Sequence, residues 1–120
     1  MTIDQRKILG TYGEELALEY LRKKGWQPVG KNIKLFCGEI DLLFQDGDSL
    51  VMVEVKTKTS QDFGLPQEMV NYKKRRKLRQ LAKALAQKFP QRTIRIDVVA
   101  VDEENNRIEH IMSAVEDDKS

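Results

Sequence analysis

The sequence predicts an α/β fold, a mixed central sheet flanked by helices in the order α-β-β-β-α-β. Three observations predict it. Two stretches, 5–24 and 67–88, carry apolar residues at spacings of three and four. Two apolar, β-branched runs flank Asp46-Gly47-Asp48, a tight-turn signal. A further alternating run, 93–101, follows the second helical stretch.

Leu9, Tyr12, Leu16 and Tyr20 mark the buried stripe of the first helix, with Gly13 and Ala17 on the same face. Gly25 is the stop signal. Residues 27–36 read as a strand with imperfect alternation. Residues 39–45 and 49–58 form the hairpin, necessarily antiparallel. A loop with Gly64 and Pro66 follows. In the second helix, Leu78, Leu81, Ala82, Leu85 and Phe89 form the buried stripe, and Pro90 ends it. A helix of that length lets strands 49–58 and 93–101 lie parallel. Residues 107–112 form a further short strand. The sequence predicts one domain over 1–115 and a frayed acidic tail over 116–120.

With 120 residues, 40% hydrophobic and 33% charged, the chain holds one core and is not a disordered protein. One cysteine, Cys37, excludes an intrachain disulfide, and one histidine, His110, excludes a His-rich metal site. The expected roles are apolar filler for Cys37 and packing or surface for His110. Trp26 reads as a packing residue. No run is apolar enough for a membrane span, and the first residues lack the apolar region of a signal peptide. The expectation is a reduced, cytoplasmic setting with no membrane and no small-molecule cofactor.

The formal charge of +2 conceals its layout. Residues 70–95 hold ten basic residues and no acidic one, whereas 96–120 hold two basic and eight acidic. On a helix, Lys73, Arg76, Gln80, Lys83 and Gln87 fall opposite the apolar stripe. A charge run is ordinarily a solvated face. A face of one sign suits a polyanion, and the expected partner is DNA bound through its phosphates. An acidic protein partner for this helix is the other reading.

The hairpin concentrates acidic residues. If Gly47-Asp48 is the turn, Asp41 lies opposite Glu54, their Cβ atoms ~5 Å apart. If Asp46-Gly47 is the turn, the two are diagonal neighbours. Both registers place the carboxylates on one face, Asp41 with Leu43, and Glu54 and Lys56 with Leu50 and Met52. Charges in so apolar a strand are costly unless paired or metal-bound. Both carboxylates could hold a hard cation such as Mg2+ or Mn2+. An ordinary ion pair of Lys56 with Glu54 or Asp41 accounts for the same residues. Glu39 reads as a strand-start ion-pair partner or a further ligand. Asp97, in an apolar strand, reads as structural.

Several segments together carry a resemblance: Gly10-Thr-Tyr-Gly13-Glu14-Glu15-Leu-Ala17, Gly38-Glu39-Ile-Asp41, Val53-Glu54-Val-Lys56-Thr-Lys58, Phe63-Gly64 and Ile96-Asp97-Val-Val. In this order and with these gaps, over residues 8–112, the chain resembles the YraN-like family, small bacterial proteins predicted to be endonucleases. Their core is similar to the restriction-endonuclease-like PD-(D/E)XK superfamily and to archaeal Holliday-junction resolvases. The superfamily's proline before the aspartate is Ile40 here, as is usual in the YraN-like group. The resemblance implies a restriction-endonuclease-like core and a metal-dependent endonuclease acting on DNA, including branched DNA. It implies that Asp41 and Glu54 ligate Mg2+ or Mn2+, that Glu14 assists, and that Lys56 orients or activates the attacking water. Lys58, Lys73, Arg76 and Lys83 are then the expected phosphate contacts. A homodimer would suit the two-fold junctions that resolvase-like relatives bind. A catalytically inactive nucleic-acid-binding protein on the same fold is the alternative.

Overall fold

The structure is a computed structural model and describes residues 3–57, 71–102 and 104–115. Helix α1 spans Ile3–Lys23. Strands β1 (Gln27–Leu35), β2 (Gly38–Asp46) and β3 (Ser49–Thr57) follow, then helix α2 (Tyr72–Lys88), β4 (Thr93–Asp102) and β5 (Arg107–Ile111). The strands form one sheet in the order β1-β2-β3-β4-β5. Only β3 and β4 run parallel; the other neighbours are antiparallel. The mixed α/β core expected from the sequence is therefore present, with β5 as its extra edge strand. Among the described residues, no helix is long and apolar enough to cross a membrane.

The two faces of the sheet carry separate cores. Leu43, Leu50, Met52, Ile96, Val98 and Ala100 pack under Leu78, Leu81, Ala82 and Leu85 of α2. Leu42, Phe44, Val51, Val53, Val99 and Val101 pack under Ala17 and Leu21 of α1. Because β3 is buried on both faces, it reads as a nearly continuous apolar run. That is why a charged residue in it is conspicuous.

Three local expectations are corrected. The buried seam of α1 runs through Gly13, Ala17 and Leu21, whereas Tyr12 is half-exposed at the rim. Small residues let the helix approach the sheet closely; the tyrosine could not fit beneath it. Helix α2 begins at Tyr72, later than residue 67, because Asn71 is extended and its side chain accepts the N–H of Lys74 as a cap. Residues 67–70 lie outside the described residues, as do the loop at 59–66 and the tail at 116–120. Phe89 is not in the buried stripe: it is the C-cap, 42% exposed, with its N–H donated to Leu85. Trp26 and Cys37 pack against the two cores as expected.

Candidate functional site

Gly47 has φ +60 at the first corner of the β2–β3 turn, where glycine avoids the Cβ penalty. This turn fixes the register at Leu43↔Met52 and Leu42↔Val53. One further step sets Asp41 across from Glu54, the first of the two registers considered. The ladder stops there. β2 continues alongside β1 as far as Gly38↔Leu35, while β3 continues alongside β4 as far as Thr57↔Val101. The two central strands thus fork, and the Asp41 carboxylate fills the fork. Its Oδ2 accepts the N–H of Val55 at 3.0 Å.

This contact changes the expected orientation of Asp41. A strand N–H points along the sheet toward its neighbour, so the carboxylate that accepts it lies between the strands and not out on one face. The alternation of β2 is broken at the same point: Ile40 and Leu43, three residues apart, both pack on the α2 side. On the other flank, Asn32 takes φ +51 and drops out of the β1–β2 ladder. The expectation that Asp41 shares a face with Leu43 is corrected accordingly.

Glu54 projects toward α2, on the face of Leu50 and Met52 as expected. It is only 5% exposed, and its Oε1 accepts from Lys74 Nζ at 3.2 Å. Burial, then the charge of Asp41, pushes its pKa up to about 7; Lys74 and Lys56 oppose the rise. Lys56 is half-buried in the same strand. Glu14 reaches the fork from the α1 side. Its pKa is raised by burial first and by Asp41 second, against a hydrogen bond with Asn32. Asp41 is therefore the electrostatic neighbour common to Glu54 and Glu14, one on each side of the sheet. Glu39 is exposed and adds to the field at Glu14.

The donors at the fork are hard carboxylate oxygens, the type that suits Mg2+ or Mn2+. Among the described residues, no three of His, Cys, Asp or Glu converge as a ready-made metal cage. Asp41 and Glu54 form a pair, and Glu14 approaches Asp41 from the other side. A cavity of about 40 Å³ lies beside Glu14, lined also by Lys31, Asn32 and Leu42.

Lys73, Arg76 and Lys83 are exposed on α2, as the helical wheel requires. Lys58 lies outside the described residues. Lys74 is the site residue that sequence reasoning missed. A signal existed: Leu78, Leu81 and Leu85 follow it at four, seven and eleven residues, so it lies on the stripe that faces the sheet.

Asp97 is fully buried and saturated. Arg95 donates to Oδ1 at 2.9 Å and Oδ2 at 3.0 Å, His110 Nε2 to Oδ2 at 2.7 Å, and the Ser113 N–H to Oδ1 at 2.9 Å. Burial raises its pKa, but these hydrogen bonds outweigh burial and hold it below the usual range. Lys24 Nζ can only donate, and it lies 2.8 Å from His110 Nδ1, which assigns the proton of His110 to Nε2. Asp97 thereby ties β4, β5 and the end of α1 together, the structural role expected of it.

A model of the uncharacterised protein family UPF0102 matches residues 13–101, a span containing Glu14, Asp41, Glu54, Lys56 and α2. A UPF0102 protein of Thermodesulfovibrio yellowstonii is 41% identical over 110 residues, covering 88% of this chain and 94% of its own. One from Pelotomaculum thermopropionicum is 43% identical over 117 residues, covering 92% and 98%. One from Nocardia farcinica is 40% identical over 101 residues, covering 82% and 80%. The YraN-like resemblance is upheld by these matches, and the chain belongs to the uncharacterised protein family UPF0102.

Proposed function

We propose that this protein is a metal-dependent nuclease that hydrolyses DNA phosphodiester bonds at the β2–β3 fork. One observation carries the reading. Two carboxylates, Asp41 and Glu54, meet where the sheet opens, and burial with mutual repulsion drives Glu54 up to about 7. A bound cation relieves both effects. Asp41 and Glu54 would hold Mg2+ or Mn2+, with Glu14 as the nearest further carboxylate.

When bound, such an ion supplies Lewis-acid polarisation of a phosphate oxygen and a more acidic water. The chain's own residues do the rest. Asp41 is held in place by the Val55 N–H, so its free oxygen needs no reorganisation. Lys56, beside Glu54 on the strand, stabilises negative charge developing at the phosphate or orients the attacking water. Lys73, Arg76 and Lys83 draw the polyanion toward the N-terminal end of α2. No side chain need act as nucleophile, which fits a chain with one cysteine and a buried histidine.

A second reading is DNA binding without cleavage. It is favoured by Lys74, which already neutralises Glu54, and by the lack of a third converging ligand among the described residues. Incubation with linear, single-stranded, flapped and four-way-junction DNA in Mn2+, Mg2+ or EDTA separates the two. Nuclease function requires cleavage that depends on metal and disappears in Asp41→Ala and Lys56→Ala. Trace cleavage identical in wild type and variants would sink it. Salt-sensitive binding without any cleavage would establish the second reading.

A further inference from the structure

The exposed basic ridge of α2 is not its only cationic surface. Along the flank that faces β4 run two cavities that share Arg79. One, of about 360 Å³, lies between Arg75, Arg79 and the Ser113–Val115 turn. The other, of about 490 Å³, lies between Arg79, Lys83, Arg92 and the start of β4. Together they make a groove along the β4 side of α2, the side away from Lys77, which lies against Gly38 of β2. The described residues lining it include four cations and no carboxylate.

Three features separate this groove from a solvated face. Arg75, Arg79 and Lys83 recur every four residues, ~6 Å of helix rise per step, so their charges lie in a row. Arg75, Arg79 and Arg92 are half-buried, and ordering them on a ligand costs less entropy than ordering free side chains. Among the described residues, Nη1 of Arg92 is buried with no hydrogen-bond partner. A buried guanidinium donor left unmatched is costly, and an anionic oxygen in the groove would match it. Ala82 and Ala86, small side chains, leave the room.

We infer that this groove is the track for one nucleic-acid strand, bound through consecutive phosphates. The inference rests on the nucleic-acid reading above and moves the main binding surface from the exposed ridge at Lys73 and Arg76 to the flank, roughly a quarter-turn around the helix. Arginine forks match the oxygens of a phosphodiester backbone in pairs. Binding of this kind is insensitive to base sequence and sensitive to salt.

The test is fluorescence anisotropy of a labelled single-stranded oligonucleotide in EDTA, across a salt series, with circular dichroism confirming the fold of each protein. The Arg79→Ala/Arg92→Ala variant is expected to bind at least about tenfold more weakly. Its salt slope should fall by about 1.4, at about 0.7 for each phosphate the variant no longer neutralises. Arg79→Lys/Arg92→Lys, which keeps the charge but not the fork, should fall between that variant and wild type. The Lys73→Ala/Arg76→Ala variant should be weakened less than the groove variant. A groove variant that is weakened no more than the ridge variant overturns the track while leaving the nucleic-acid reading intact. Wild-type protein that fails to bind DNA at low salt overturns both.

Discussion

Lys74 Nζ lies 3.2 Å from Glu54 Oε1, joining the first turn of α2 to the carboxylate in the middle of the sheet. The ammonium occupies one side of a carboxylate that is 5% exposed and has Asp41 as its charged neighbour. It stands where a cation is electrostatically required. Lys74 is about one-third exposed, so it can leave Glu54 for solvent or phosphate at modest cost.

Removing that lysine should expose the need it meets. Lys74→Met is expected to lower stability in EDTA at pH 9 by about 1–2 kcal/mol, a buried-pair loss discounted for the exposure of the lysine. At pH 5 the loss should be smaller, because a protonated Glu54 needs no partner. Mn2+ should restore more stability to the variant than to wild type. Urea unfolding at both pH values, with and without Mn2+, measures each effect. Equal destabilisation at pH 5 and pH 9 would show that the lysine contributes packing alone.

The titration of Glu54 should appear in the stability of the whole protein. Its folded pKa, about 7, lies above the ordinary 4.5. The folded state therefore binds the extra proton. The associated stability is fully present below about pH 4.5 and is lost as pH rises through about 7. Glu54→Gln removes this dependence and should be more stable than wild type at pH 8, by about 3 kcal/mol at most. Denaturant titrations at half-unit pH steps in EDTA check it. A wild-type curve parallel to that of the variant between pH 4.5 and 7.5 would contradict the shift.

Asp41 serves the fork twice, as acceptor for the Val55 N–H and as a charge beside Glu54. Asp41→Asn keeps the acceptor and removes the charge. It should leave the fold intact and bring the Glu54 pKa down from about 7, as carbon-detected NMR of the glutamate carboxyls would report. Asp41→Ala removes the acceptor as well and should cost about 1–3 kcal/mol through the orphaned amide. Asparagine and alanine variants of equal stability would show that the hydrogen bond contributes little.

Asp97 should be the most stability-critical acid in the chain. With four donors on a fully buried carboxylate, Asp97→Asn removes the charge they meet and leaves Arg95 its 3.2 Å pair with the more exposed Asp46, so it should cost about 3 kcal/mol, the low end for a broken buried pair. Because its pKa is lowered, its contribution is present above the ordinary value of 3.8 and is lost as pH falls through the still lower folded value. Thermal unfolding monitored by circular dichroism at pH 7 and pH 3 tests both statements. Full stability of the asparagine variant at pH 7 would contradict them.

Much of the fold is legible in the chain because its signals are local. The strands around Gly47 alternate or run apolar according to how they are buried, and the single turn residue at φ +60 sets which residues pair. The Leu78–Leu85 stripe marks the buried face of α2. Asn71 carries a cap signal for its start, which the longer apolar pattern obscures. Tyr12 misleads because residue size, not spacing, decides which side chain of a helix fits beneath it. Counting residues around the turn puts Asp41 and Glu54 either opposite or diagonal, and the assembled ladder selects opposition.

The order of elements, a choice of two hairpin registers, the family and the two charged features, paired carboxylates in an apolar strand and a basic helix, are thus written in the chain. The assembled fold alone settles that the strands part at Asp41, that its carboxylate lies between them, that Lys74 meets Glu54, and that four donors saturate Asp97. The reason is the range of the forces. Periodicity and turn chemistry act over a few neighbouring residues. Where a ladder stops, and which charge burial strands beside another, depends on residues such as Asn32, Val55 and His110 that meet only once the sheet is assembled.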